Sequence, residues 1–180
     1  MRTRTSTWFE CKIRYDKIMD DGIQKKVTEL YVVDALSFTE AESSIIEEMS
    51  SYISGEFEVR DIKKAPYGEI FFSDSPSADR YFKAKLQFKT IDEKSQKEKL
   101  SNVNYLVHAA TFNGAVSNID EVMGKTMIDY NIAAVQETQI MDVFEHNSAA
   151  KLKEAEEKND VPEYEQQDAA SADAPSEENA

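Results

Sequence analysis

One pattern restricts this chain more than any other: it repeats itself. YVVDALSFTEAESSIIEEM, starting at Tyr31, aligns without a gap to YLVHAATFNGAVSNIDEVM, starting at Tyr105. Nine of the nineteen positions are identical, among them Tyr31/Tyr105, Phe38/Phe112, Ile45/Ile119 and Met49/Met123. Upstream, WFECKIRY from Trp8 faces YFKAKLQF from Tyr81, one residue out of step with the first offset. Downstream, Phe57, Val59, Ile70 and Phe71 face Tyr130, Ile132, Val143 and Phe144. Residues 8–72 and 81–144 are therefore expected to be two copies of one unit, joined by the turn-forming SDSPSAD.

Each copy reads alike. Along Trp8–Lys17, Phe9, Cys11, Ile13 and Tyr15 alternate with Trp8, Glu10, Lys12 and Arg14, the period of a strand with one buried face. Asp20-Asp21-Gly22 supplies a turn into a second strand over Lys25–Ala35. Phe38, Ala41, Ile45, Met49 and Tyr52 then fall on one stripe of an amphipathic helix. Ser37-x-x-Glu40 and Thr39-x-x-Glu42 both offer a capping box at its start, and Gly55 ends it. Strands over Glu56–Lys64 and Tyr67–Phe72 follow, broken at Pro66. The second copy predicts a hairpin at Tyr81–Ile91 and Leu100–Ala109, a helix over Phe112–Thr126, and strands near Tyr130–Glu137 and Gln139–Phe144. The expected fold is α+β: tandem ββαββ units, residues 1–75 and 76–146, related by a pseudo-twofold. Each antiparallel sheet would be covered by its own helix, and the two units would pack as one body.

Charge separates off a third segment. The net charge is −14; residues 1–150 carry 18 basic and 25 acidic side chains, and residues 151–180 carry 3 and 10. Residues 147–180 hold few sizeable apolar side chains, chiefly Val161 and Tyr164, too few to offset an ordering entropy of about 1–2 kcal/mol per residue. An acidic, disordered tail is expected there. The single cysteine, Cys11, excludes an intramolecular disulfide and a Cys-based zinc cluster. No apolar run approaches the ~20 residues of a membrane span, and MRTRTSTWFECK lacks a signal-peptide core, so a cytoplasmic protein is expected.

The parts of an enzyme are sparse. The histidines, His108 and His146, have no partner at informative spacing, and the five glycines form no phosphate loop. No catalytic residue, metal ligand or cofactor is assigned. The face opposite the helices holds more. Trp8, Lys12 and Arg14 project from it in the first copy, and Tyr81, Lys83 and Lys85 in the second. Lys25, Lys26, Arg60, Lys63 and Lys64 flank the first row; Arg2, Arg4, Lys89, Lys94, Lys97 and Lys99 add further cations. Aromatics that stack on bases, set among cations that track phosphates, make up a single-strand-binding sheet. An ordinary solvated sheet face has the same composition, because lysine there also discourages edge pairing. A protein-binding sheet is the third reading.

WFECKIRYDK, QKKVTELYVVDALSFTEAE, DRYFKAKLQF and the closing ETQIMDVF together resemble a family of small uncharacterised proteins of Bacteroidetes and their gut bacteriophages, a domain of unknown function. The resemblance covers roughly residues 7–145. It carries no established activity; what it implies is an accessory to phage or mobile-element replication or recombination, suspected of binding single-stranded DNA. The leading expectation is thus a non-enzymatic single-stranded DNA-binding protein. Its acidic tail would regulate the platform or recruit replication proteins. The alternative is a structural or assembly protein that forms homo-oligomers or docks a protein partner through its open sheet. A third, an acidic decoy that mimics DNA, fits the net charge but not the local basic clusters.

Overall fold

A computed structural model describes residues 1–91 and 98–146. The expected tail, 147–180, lies outside the described residues, as do Lys94 and Lys97. The elements are β1 (Arg2–Thr5), β2 (Trp8–Ile18), β3 (Gln24–Asp34), α1 (Phe38–Tyr52), β4 (Phe57–Lys64), β5 (Glu69–Phe72), β6 (Arg80–Ile91), β7 (Glu98–Ala109), α2 (Phe112–Met123), β8 (Tyr130–Glu137) and β9 (Ile140–Phe144). Local chemistry sets their ends. The Ser37 side chain accepts from the Glu40 backbone N–H, and Thr111 does the same for Gly114. Gly22, at positive φ, closes the β2–β3 turn. The second helix stops at Met123, three residues before its expected end.

The sheets differ from the expected antiparallel units. One has the order β4-β2-β3-β9 and the other β1-β5-β7-β6-β8. Each half keeps its hairpin and its first post-helix strand and gives its last strand to the other sheet. β9 runs parallel to β3, with Val32 opposite Val143 and Val33 opposite Phe144. β5 runs parallel to β7 in the matching register, Ile70 opposite Leu106 and Phe71 opposite Val107. Both sheets are therefore mixed. β4 and β8 each carry one extra residue at matching places, Arg60 facing the Lys12–Ile13 step of β2 and Ala133 facing the Lys85–Leu86 step of β6. β1 was not expected; it extends one sheet by pairing with β5.

Three apolar clusters hold the body together. Phe9, Cys11, Ile13, Tyr31 and Val33 pack under Ala41, Ile45 and Met49 of α1. Phe82, Ala84, Leu86 and Val107 pack under Ala115, Ile119 and Met123 of α2. The third lies between the sheets: Trp8, Val32 and Ile140 from one meet Ile70, Phe72, Tyr81 and Leu106 from the other. The layers run helix, sheet, sheet, helix. Phe38 and Phe112, expected in the helix stripes, are half-exposed. Each is the first residue of its helix, and the Phe38 ring meets that of Phe9 edge to face, 5.0 Å between centroids. Burial drives the Cys11 thiol up to about 12, so it is an inert core residue.

The N-terminal strand clamps the far end of the chain. Arg2 makes a bidentate pair with Glu145 at 2.7 Å, and Arg4 bonds both Glu145 and the buried Asp34. Asp34 also accepts from the backbone N–H of His146. Burial holds the Asp34 carboxyl above its ordinary range, outweighing the His146 amide and the Arg4 charge, which favour ionisation. A carboxyl with a raised folded pKa binds its proton more tightly when folded, so its contribution to stability grows as pH falls toward the unfolded value. Removing Arg4 leaves this buried carboxylate without its guanidinium partner. Arg4→Ala should cost about 3–5 kcal/mol at pH 7, and less at pH 5, where Asp34 protonates more readily. Urea unfolding at the two pH values measures this, and an equal cost at both would show that Arg4 does not act by compensating the Asp34 charge.

Candidate nucleic-acid interface

The alternation of β2 and β6 sorts the side chains onto faces as expected, but the face opposite the helices is not open. Trp8 is 1% exposed and Tyr81 5% exposed. Both stand in the layer between the sheets, where their rings bury apolar surface instead of meeting solvent. The Arg4 guanidinium lies over the Trp8 ring at 6.0 Å from its centroid. Tyr81 stacks on His108 at 4.7 Å and donates its hydroxyl to Asp142 at 3.2 Å. Burial, then Asp142, push the Tyr81 hydroxyl well above its ordinary pKa, and burial lowers that of His108. The expectation of exposed stacking rings at Trp8 and Tyr81 is thereby corrected. Their alternation gave the correct face, but only the fold reveals that a second sheet covers its near end.

Farther along both strands the same face reaches water. Lys12 and Lys85 are exposed, and Arg14 and Lys83 are half-buried. Among the described residues none of the four has an ion-pair partner within 4 Å. Lys12 and Lys85 each stand at the step of their strand that faces the extra residue of the neighbouring one, Arg60 of β4 or Ala133 of β8. Lys83 lines a depression with Glu10, Leu30 and Gln139; Lys12 lines a second with Thr28, Leu30 and Gln139. Leu30 and Gln139 border both, so the surfaces around Lys12 and Lys83 are continuous.

The flanking cations divide. Lys26 sits opposite Asp16 and Lys63 opposite Glu10, on the face of the Lys12 row. Lys25 sits opposite Lys17 and Lys64 opposite Phe9, which places both on the helix side. Lys25 lies 3.9 Å from Asp21, Arg60 2.9 Å from Glu58 and Lys63 3.1 Å from Asp61. Arg2 and Arg4 are committed to the Glu145–Asp34 clamp. These cations are neighbours along the chain, and strand parity is the signal that separates them. Among the described residues no cluster of three His, Cys, Asp or Glu side chains could hold a metal ion. No helix there is long and apolar enough to cross a membrane.

No curated protein and no solved structure matches the chain. A family model does, over residues 7–146, from just before β2 to just past the end of β9. The matched segment contains both sheets except β1, both helices and every cation of the two rows. This chain belongs to the family described as Domain of unknown function (DUF4494).

Proposed function

We propose that this protein is a non-enzymatic, sequence-tolerant binder of single-stranded nucleic acid, with DNA as the favoured ligand. Lys12, Arg14, Lys83 and Lys85 follow the phosphate backbone, with Lys26 and Lys63 at the margin. The observation that carries this reading is the matched pair Lys12 and Lys85, at equivalent positions of β2 and β6, each with one further cation on its row: Arg14, whose counterpart is Gln87, and Lys83, whose counterpart is Glu10. Among the described residues none of the four has an ion-pair partner. Cations spent on fold stability are found paired, as Arg2 and Arg4 are. Bulges occur often beside functional sites, and Lys12 and Lys85 each face one on the neighbouring strand, at Arg60 of β4 and Ala133 of β8. With Trp8 and Tyr81 inside, affinity rests on phosphate contacts and not on stacking. The two halves are read as copies of one duplicated ancestral unit. The acidic segment 147–180 competes for the cations or recruits replication partners, in a phage or mobile-element setting in the bacterial cytoplasm.

The test is a fluorescence-anisotropy titration of labelled oligo(dT) at 50 and 200 mM salt, on the full chain and on a chain ending at Asn147. Saturable binding at 50 mM that weakens at 200 mM is expected. The shorter chain should bind more tightly, because its net charge falls from −14 to −7 and a tethered competitor is gone. The gain should be largest at 50 mM, where the Debye length is longer. Absence of binding by either chain at 50 mM overturns the reading.

One observation favours the alternative, an assembly or docking protein. The tips of both long hairpins expose apolar side chains, Ile18 at 73% and Ile91 at 70%, with Ile23 and Leu100 beside them. A chain that ignores oligo(dT) but self-associates by sedimentation, and becomes monomeric when these four are changed to serine, would be of this second kind.

A further inference from the structure

The two helix-covered faces match position by position, and one of them is incomplete. In the first half, Tyr31 stacks on Phe144 at 5.8 Å, and Tyr52 from the last turn of α1 caps the same ring edge-on at 6.0 Å. The Tyr31 hydroxyl donates to Glu29 at 2.7 Å. In the second half the counterparts are Tyr105 and Phe71, 5.0 Å apart. The position of Tyr52 holds Thr126, beyond the shortened α2, and that of Glu29 holds Val103. A cavity of about 440 Å³ opens there, walled by Phe71, Phe88, Tyr105, Met123 and Ile128. This is the size of a small-molecule site.

Tyr105 and Glu69 meet in this cavity, beside the hydroxyls of Thr90, Ser101 and Thr126. With valine in place of Glu29, the Tyr105 hydroxyl has no hydrogen-bond partner among the described residues. Glu69 is its cross-strand neighbour on β5, lines the same cavity and has no ion pair among the described residues. No lysine or arginine lines the cavity. Burial, reinforced by the Glu69 charge, keeps the Tyr105 hydroxyl protonated and able to donate.

We infer that this cavity is a binding site for a small organic cation with an apolar body. The aromatic wall takes the apolar part, the half-buried Tyr105 ring attracts the cationic head, and Glu69 balances its charge. An anion would be repelled by Glu69 with no lysine or arginine in the lining to offset that charge, and a purely apolar guest would leave the carboxylate desolvated without a partner.

The methionines provide the test. Met123 lines the cavity, whereas Met127 is fully exposed and Met49 lies under the other helix. The full chain, carrying ¹³C-methyl methionine, is titrated with benzyltrimethylammonium, benzyl alcohol and benzenesulfonate. The expected result is a saturable shift of Met123 with the ammonium, little change at Met127 and Met49, and binding at least about fivefold weaker for the other two probes. Glu69→Gln should weaken ammonium binding about five- to tenfold. Thr126→Tyr, which restores the capping ring of the first half, should abolish the Met123 shift. Thermal unfolding establishes that each variant is folded, and Glu69→Gln serves alone if Thr126→Tyr is not. No saturable Met123 shift, equal binding of the three probes, or an ammonium affinity indifferent to Glu69→Gln would each overturn the assignment.

Discussion

Trp8→Ala should lower the stability of this protein by about 3–5 kcal/mol, the range for truncating a large buried aromatic side chain. The indole is almost fully enclosed between the two sheets, against Val32, Ile140, Ile70 and Leu106, so its loss leaves a cavity that neither sheet can readily close. Equilibrium unfolding in urea should show a lower midpoint with an unchanged slope. Oligonucleotide affinity, measured where the variant is still folded, should stay within a factor of about two, since the indole meets no solvent. Tyr81→Phe should cost only about 1 kcal/mol, because it keeps the ring on His108 and loses one hydroxyl bond to Asp142. A Trp8→Ala protein of nearly normal stability that had lost its affinity for oligonucleotide would instead make Trp8 a stacking residue and refute its placement in the core.

Much of the architecture was legible in the residues, and the part that was not follows one rule. Periodicity reports which side chains share a face; it does not report what covers that face. The alternation of Phe9, Cys11 and Ile13, and the stripe of Ala41, Ile45 and Met49, gave strand and helix because each has a single buried side. The exchange of β5 and β9 depends on partner choice, which no local spacing encodes. A hint was available: Ile70, Phe71 and Phe72 run on without alternation, as expected of a strand buried on both faces and paired in parallel. β1 reads RTRT, a polar pattern with no apolar face, so only its clamp on Glu145 and Asp34 makes it intelligible.

The candidate site divides along the same line. Parity alone puts Lys12 and Arg14 on one face of β2 and Lys83 and Lys85 on one face of β6, each opposite its helix, and the two sheets turn those faces toward each other. Trp8 and Tyr81 share those faces and yet are lost to solvent, because the sheets meet at the strand starts. The burial that removes the aromatics also orders the start of each row. The cations follow directly from a rigid inter-sheet core, and the fixed spacing this gives them costs less ordering on binding than mobile lysines would.

Changing Lys12, Arg14, Lys83 and Lys85 together to glutamine should have the largest effect on binding. Each phosphate neutralised on a single strand contributes about 0.7 to the slope of log affinity against log salt, so four contacts account for a slope of roughly 2.8. That slope is equivalent to a loss of about fiftyfold between 50 and 200 mM salt. The quadruple variant should therefore show a much flatter salt dependence and, at 50 mM, an affinity reduced by at least a comparable factor. Its fold should persist, because none of the four side chains has an ion-pair partner among the described residues and none belongs to an apolar cluster. A control set separates this from a general charge effect. Lys25, Arg60, Lys64 and Lys99 changed to glutamine remove the same charge, but Lys25 and Lys64 lie on the helix side, and Lys25 and Arg60 are already paired. If the control lowers the slope as much as the row variant does, nucleic acid is attracted by the whole surface and the two rows are not its binding site. If only the row variant flattens it, the spacing of four cations on two facing sheets is what the strand recognises.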